Sequence, residues 1–383
     1  MIIFLINHDF STDDMEHFVK ASGNAKPMIS VGGSAMSDQF SRTAADKEYR
    51  KAFIKSTVNF MAKNGFAGLM LDWYGAGSGD TENMISLLNE FDEAFEHTSF
   101  IIGMSLPADI TFQDNYDIPK IVDYVNFINI LTLDYSGPWS KSVGHASPLP
   151  KQFETLEAYH QRGAPREKLL MSVPLFARTW ILENPSEQEV GNAASSGGFP
   201  GPFTQVSGLL SYNELCTLIK SKPSSFSIIR DEINTAIHAI YSNGRSTEFI
   251  SFEDTKTLAK KAYNVTTEGY GGLSVFTLSN EDSHGICGKK YPLLHAISEG
   301  YNTHEVTQRQ EVTRPSTTTP TPPPGVFFCK KEGLFRDPIY CFKYYKCSHG
   351  DFGFEKEIMF CERTQVYDEH SEKCVPNEGV KGC

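Results

Sequence analysis

Apolar residues gather along the first 300 positions in short runs of strand length. The runs are "IIFLI" (2–6), "KPMISV" (26–31), "GLMLDW" (68–73), "FIIGMSL" (100–106), "VNFINILTLDY" (125–135), "KLLMSVPLF" (168–176) and "GGLSVFTL" (271–278). Between them, stretches such as Lys47–Lys63 and Glu82–Phe95 carry apolar residues at three- and four-residue spacing, the mark of amphipathic helices. Strands that are apolar on both faces, alternating with helices, predict a parallel sheet covered on each side. No GxGxxG follows a strand, and the size favours a barrel over an open doubly wound sheet. The expected fold class is α/β, a TIM (β/α)8-type barrel with seven legible strands and a domain spanning residues 1–302.

The alternation breaks once. Residues 182–251 open with a Gly/Ser/Pro-rich stretch, "GNAASSGGFPGPF", and continue without a clean period. That is too long for one connection and predicts an inserted α+β subdomain. After the last helical pattern, residues 303–325 are dense in Thr and Pro; such a stretch cannot bury a core and reads as a stiff linker, a candidate for O-glycosylation. Residues 326–383 then hold six of the eight cysteines, Cys329, Cys341, Cys347, Cys361, Cys374 and Cys383. They lack CxxC or HxxxH spacing, so a disulfide-rich β module is expected, with no metal. Asn264, in "NVT", is the one glycosylation sequon found.

Charge narrows the partners. A formal net charge of -12 argues against nucleic acid, which needs a basic footprint. No apolar run nears the roughly 20 residues of a membrane helix, so no membrane partner is expected. The opening run is also too short for a signal-peptide core of roughly 7–15 residues, although the cysteines imply an oxidising, extracellular setting.

Six motifs in order resemble glycoside hydrolase family 18, the chitinases and chitinase-like lectins: "SVGG" (30–33), "AGLMLDWY" (67–74), "LTLDYSGPW" (131–139), "VPLFAR" (173–178), "GPFTQVSGLLSYNELC" (201–216) and "GGLSVFTLSNEDSHGICG" (271–288). "CKKEGLFRDPIYCFKYYKC" and "CERTQVYDEHSEKC" resemble the peritrophin-A type of chitin-binding module. The combined layout is similar to that of mite chitinase-like allergens. The resemblance implies disulfides Cys216–Cys287, Cys329–Cys347, Cys341–Cys383 and Cys361–Cys374. It also implies that the first barrel strand and a signal peptide precede Met1 in a secreted protein.

In the resembled family the substrate's own N-acetyl oxygen attacks the anomeric carbon. The protein supplies a protonated Glu, an Asp that orients the acetamido group, and a supporting Tyr. Those positions here read Tyr74, Met70 and Leu133, so the resemblance implies no catalytic residue, no cofactor and no hydrolysis. Asp72, Trp73, Asp134, Trp139, Arg178 and Phe276 stand at binding positions, because a pyranose needs only aromatic faces and a few hydrogen bonds. Taken alone, Asp72 suits a structural carboxylate better than a ligand contact, Asp134 suits either, Arg178 suits an ion pair, and Trp73 and Phe276 suit core filler. In the small module Phe335, Tyr340, Tyr344, Tyr345 and Tyr367 are the candidates for stacking on chitin, with packing on the disulfides as the alternative for Tyr344 or Tyr345 and for Tyr367. The expected function is chitin or chito-oligosaccharide binding. The alternatives are a weakly active hydrolase of N-acetylglucosamine polymers and a signalling or structural protein that reads chitin through the module alone.

Overall fold

The computed structural model describes residues 3–6, 12–33, 36–73, 75–302, 329, 331–336, 343–350, 353–361 and 365–376. The chain divides into two compact units, one of residues 1–133, 151–172 and 265–274, the other of 134–150, 173–264 and 275–383.

The first unit is built on parallel strands β1 (Ile3–Ile6), β2 (Lys26–Gly32), β3 (Gly68–Asp72), β4 (Ile101–Pro107), β5 (Phe127–Leu131) and β6 (Leu169–Pro174), each hydrogen-bonded to the next. Polar ends bound the elements between them. Asp46 accepts the Glu48 and Tyr49 N–H groups at 2.8 and 3.1 Å and starts the helix Lys47–Asn64. Gly65, at φ 75°, closes it in a left-handed turn that an L side chain rarely adopts. The helix Thr81–Phe95 buries Met84, Leu87, Leu88, Phe91 and Phe95, its 3.6-residue stripe, and Phe53 meets Phe91 edge to face.

On one face of the sheet, Met28, Met70 and Phe127 form an apolar layer with Ile101 and Leu170 against it. A Cβ at Gly103 would strike Phe127 and the Met70 sulfur, so glycine is what lets the layer close. Two residues further along the strands the layer turns polar, with Ser30, Asp72, Ser105, Asn129 and Ser172; Ser172 donates to Asn129 at 2.8 Å.

The run "KLLMSVPLF" is not one strand. The chain leaves the first sheet at Pro174 and starts β7 (Phe176–Leu182) in a second. That sheet adds β8 (Ala194–Gly197), β9 (Leu209–Ser211), β10 (Phe226–Asp231), β11 (Ala236–Ser242) and β12 (Thr247–Phe252), so it begins at Phe176 rather than near 182. It is antiparallel among these strands, and the helix Tyr212–Ser221 packs on it through Leu215 and Ile219. Ser211 and Glu214 form a capping box at that helix's start. β13 (Gly272–Phe276) returns to the first sheet, whose order is β1-β2-β3-β4-β5-β6-β13. The seven legible strands thus lie side by side in one sheet.

The C-terminal module contributes β14 (Gly333–Arg336), β15 (Lys343–Gly350), β16 (Gly353–Phe360), β17 (Gln365–Asp368) and β18 (Lys373–Pro376). β16 pairs in parallel with β10, Ile229 opposite Lys356, so the module extends the second sheet. Ile358 packs on the buried cluster of Trp180, Ile229, Ile240 and Phe249, and Lys343 pairs with Glu189 at 3.3 Å. Disulfides join Cys216 to Cys287, Cys329 to Cys347 and Cys361 to Cys374. The expected Cys341–Cys383 pair and the 303–325 linker lie outside the described residues. Among the described residues no helix is long and apolar enough to cross a membrane.

Candidate functional site

Period-two alternation on β3 decides what its side chains meet. Met70 and Asp72 share the inner face with Met28 and Ser30. Met70 is fully buried in the apolar layer, so it faces no ligand at the strand tip; the group that reaches the polar layer is Asp72. Its two carboxylate oxygens accept from the Ser30 and Ser105 hydroxyls. Burial pushes the Asp72 carboxyl above the usual carboxylate range, and the Ser105 and Ser30 bonds pull against that rise. Pattern reading missed Ser30 and Ser105 as its partners, although each is the lone hydroxyl within an apolar run.

Trp73 has the opposite parity and turns away. It is 1% exposed and stacks on Phe40 with ring centroids 5.3 Å apart, so its place among the expected sugar contacts is corrected to core packing. The segment after it is clamped by Tyr116, whose hydroxyl accepts the Gly75 and Ala76 N–H groups at 3.1 and 3.4 Å and donates to Trp73 O at 3.4 Å. Burial raises this phenol's pKa. Tyr116 carried no motif and was invisible in the sequence. Tyr74 lies outside the described residues. Leu133, half-buried, follows the point where β5 ends; there the Thr132 hydroxyl donates to Ser172 O at 2.9 Å and Gln152 donates to Thr132 O at 2.7 Å.

The second unit assembles a different chemistry. Asp134 takes a left-handed backbone, φ 62°, tolerated by Asp better than by most residues. Its carboxylate accepts two hydrogen bonds from one edge of the Arg178 guanidinium, from Nε at 2.8 Å and from Nη2 at 2.7 Å. The guanidinium also lies over two rings, Phe176 at 4.7 Å and Trp139 at 5.1 Å. Trp139 is 62% exposed. Its turn is fixed from below: the Trp180 indole N–H donates to Gly137 O at 2.9 Å, and Ser140 N–H closes on Gly137 O at 2.7 Å. Phe276 is 49% exposed, with its backbone O accepting from Leu175 N–H at 2.9 Å. This region offers open aromatic faces beside a charge pair that is already matched.

The module is more closed than its composition implied. Tyr345 and Tyr367 are buried, Tyr345 beneath the Lys343 and Lys356 ammonium groups, and Tyr344 stacks on Tyr367 at 4.1 Å. Of the two readings open for Tyr345 and Tyr367, burial favours the module's own core over chitin contact. Phe335 is half-buried with the Lys331 ammonium 5.6 Å from its ring, and Tyr340 lies outside the described residues. Phe360 is exposed instead. Asn264, of the single sequon, is half-buried within the helix Thr255–Thr267. Among the described residues one group has metal-like proximity, Cys216, Asp282 and Cys287; its sulfurs are bonded to each other and Asp282 accepts the Ile286 and Cys287 N–H groups, so its donors are spent.

The family model for Glycosyl hydrolases family 18 matches residues 7–281, and that for the Chitin binding Peritrophin-A domain matches 329–383. The chain is 55% identical over 375 residues to the chitinase-like mite allergen Der p 18.0101 of Dermatophagoides pteronyssinus, covering 97% of this chain and 81% of that one. A Group IV chitinase of Ostrinia furnacalis superposes with a TM-score of 0.72 at 27% identity, over 76% of this chain and 84% of that one. Catalytic domain 2 of a Group II chitinase from the same species, solved in complex with (NAG)5, gives 0.70 at 25% identity over 74% and 80%.

Proposed function

The chain belongs to glycosyl hydrolases family 18 and carries a peritrophin-A chitin-binding domain, and from that premise we propose that it holds chito-oligosaccharides without cleaving them. The observation that carries this reading is the state of β3. Its inner face presents one carboxylate, Asp72, engaged by two serines, above a methionine in an apolar layer. Glycoside cleavage needs a proton delivered to the leaving oxygen. The position that carries the acid in the family reads Tyr74 in this sequence, and a phenol with a pKa of about 10 is a poor acid at neutral pH. Loss of a general acid costs about 10²–10⁴ in rate, and the missing acetamido partner compounds it.

Binding needs none of this. The open Trp139 face, stiffened by Arg178, suits the apolar side of a pyranose, and Phe276 offers a second ring. The (NAG)5-bound relative supports an N-acetylglucosamine polymer as the ligand class. Disulfides and the chitin module support an extracellular setting.

The test is paired. The full chain is expected to sediment with chitin beads and to release no fluorophore from a fluorogenic chito-oligosaccharide; release at the pace of a working chitinase overturns the proposal. One observation favours a slow hydrolase as the second reading: burial lets Asp72 keep its proton to higher pH than an ordinary carboxyl. Weak turnover abolished by Asp72→Asn would establish it.

A further inference from the structure

Three apolar side chains between two strands of the second sheet are exposed: Phe199, Phe203 and Val206, at 53%, 60% and 51%. They sit on one loop, residues 198–208, between β8 and β9. The loop is built rather than loose. Phe199 N–H donates to the buried Glu248 carboxylate at 3.3 Å, Phe203 N–H donates to Glu214, and Thr204 N–H donates to the same Glu214 oxygen at 3.0 Å. Gly198 N–H donates to Thr179 O at 3.0 Å, and Thr179 N–H donates to Gly208 O at 3.1 Å, so both ends are tied to β7. Two buried carboxylates thus order a segment whose phenyl rings face water.

That loop shares its base with the turn that presents Trp139. Pro138 seats against both Gly197 and Gly208; a Cβ on Gly208 would lie 2.5 Å from it, so only glycine admits this approach. Trp180 joins the two pieces from below, its backbone paired with Gly197 and its indole N–H on Gly137 O. Arg178, two residues earlier on the same strand, backs the Trp139 ring. One strand therefore carries both the Trp139 turn and the Phe199–Phe203 loop.

The charge pattern selects the occupant. No Asp, Glu, Lys, Arg or His occurs between Glu189 and Glu214, in a chain where 21% of residues are charged. An uncharged, hydroxyl-rich surface with isolated aromatic faces, including exposed Ser195, Ser196 and Ser207, suits a neutral ligand with alternating apolar faces and polar rims. It suits neither a polyanion nor a charged peptide.

We propose that the 198–208 loop extends the Trp139 platform into a longer binding track, on which Phe199 and Phe203 stack additional sugar units of a chito-oligosaccharide. The inference rests on the proposed binding function and adds a chain-length preference to it: short oligomers occupy the Trp139 platform without touching the loop, and longer ones reach it.

Tryptophan emission isolates this region. Of the three tryptophans, Trp73 and Trp180 are buried and the C-terminal module has none, so a ligand-induced change in fluorescence reports Trp139. The full chain is titrated with N-acetylglucosamine trimer and hexamer, beside the Phe199→Ala/Phe203→Ala variant, with each sample's monomeric state checked by sedimentation. The hexamer is expected to bind the wild type about tenfold more tightly than the trimer, a gain typical of one or two stacked rings, and the variant is expected to lose that gain while keeping trimer affinity. Equal trimer and hexamer affinity in the wild type, or an unchanged hexamer gain in the variant, overturns the track and leaves the binding function standing. No fluorescence response to either sugar overturns both. Wild-type dimers that dissociate on the double substitution would assign the rings to a second copy of the chain and overturn the proposal.

Discussion

Asp72 and Arg178 are both charged residues on apolar strands, and their surroundings diverge. Asp72 is answered from inside its own sheet by Ser30 and Ser105, with Met70 filling the layer beneath it. Arg178 is answered by Asp134, and that pair supports rings that stay open to solvent, Trp139 above all. The first arrangement spends its polar groups on one another, with an apolar layer beneath. The second spends its charges on holding an aromatic surface in place. The two arrangements stand on different strands, Asp72 on β3 and Arg178 on β7, so each can be altered without rebuilding the other.

The contrast can be broken most strongly at Met70. Met70→Asp puts a carboxylate among Met28 and Phe127 with no hydrogen-bond donor, and is expected to cost about 4 kcal/mol in urea unfolding without restoring hydrolysis; a cost under about 1 kcal/mol would show that the layer is not dry. Arg178→Ala strips Asp134 of its partner and Trp139 of its backing. A loss of about 2–3 kcal/mol is expected for so partly buried a pair, together with the disappearance of the sugar-induced fluorescence change. Trp139→Ala sharpens the comparison from the other side: oligosaccharide affinity should fall about tenfold, or about 1.4 kcal/mol, by competition binding, while the melting temperature stays within about 1 °C because the ring is mostly in water.

The smallest effect concerns Glu248, buried and bonded by Phe199 N–H. Burial pushes its pKa up to about 7 from the ordinary 4.5. The folded protein therefore binds this proton more tightly than the unfolded chain, and the stability the group contributes falls as pH rises between those values. His238 works in the opposite direction, since burial, His145 and Lys356 hold it neutral below its usual range and Asp231 only partly offsets them. Glu248→Gln should remove one of these opposed slopes, so the variant-minus-wild-type melting temperature should climb by about 2–4 °C from pH 4.5 to pH 7. A flat difference would mean that Glu248 holds its proton no more tightly in the folded protein than in the unfolded chain.

Much of the fold was legible because both-face apolar strands and amphipathic helices leave strong periodic marks. What the pattern could not show was where one strand hands over to another sheet: Pro174 and Leu175 divide a run that reads as continuous. At the candidate site, parity explains the failures as well as the successes. Trp73 and Asp72 are adjacent in sequence and so face opposite sides of β3. Tyr345 and Tyr367 looked like spare aromatics, yet a small module with little core must bury some of its rings. Tyr116 and the two serines gave no motif because their work is done through single hydroxyls.

The parallel ladder between β10 and β16 has its own consequence. A protease that severed the chain anywhere between Asn302 and Cys329 would nick the molecule without shedding its C-terminal piece, since the ladder, the Ile358 contact and the Lys343–Glu189 bridge do not depend on that covalent connection. Removing the piece altogether, by contrast, would bare the flank of β10 and invite it to zip onto a stranger.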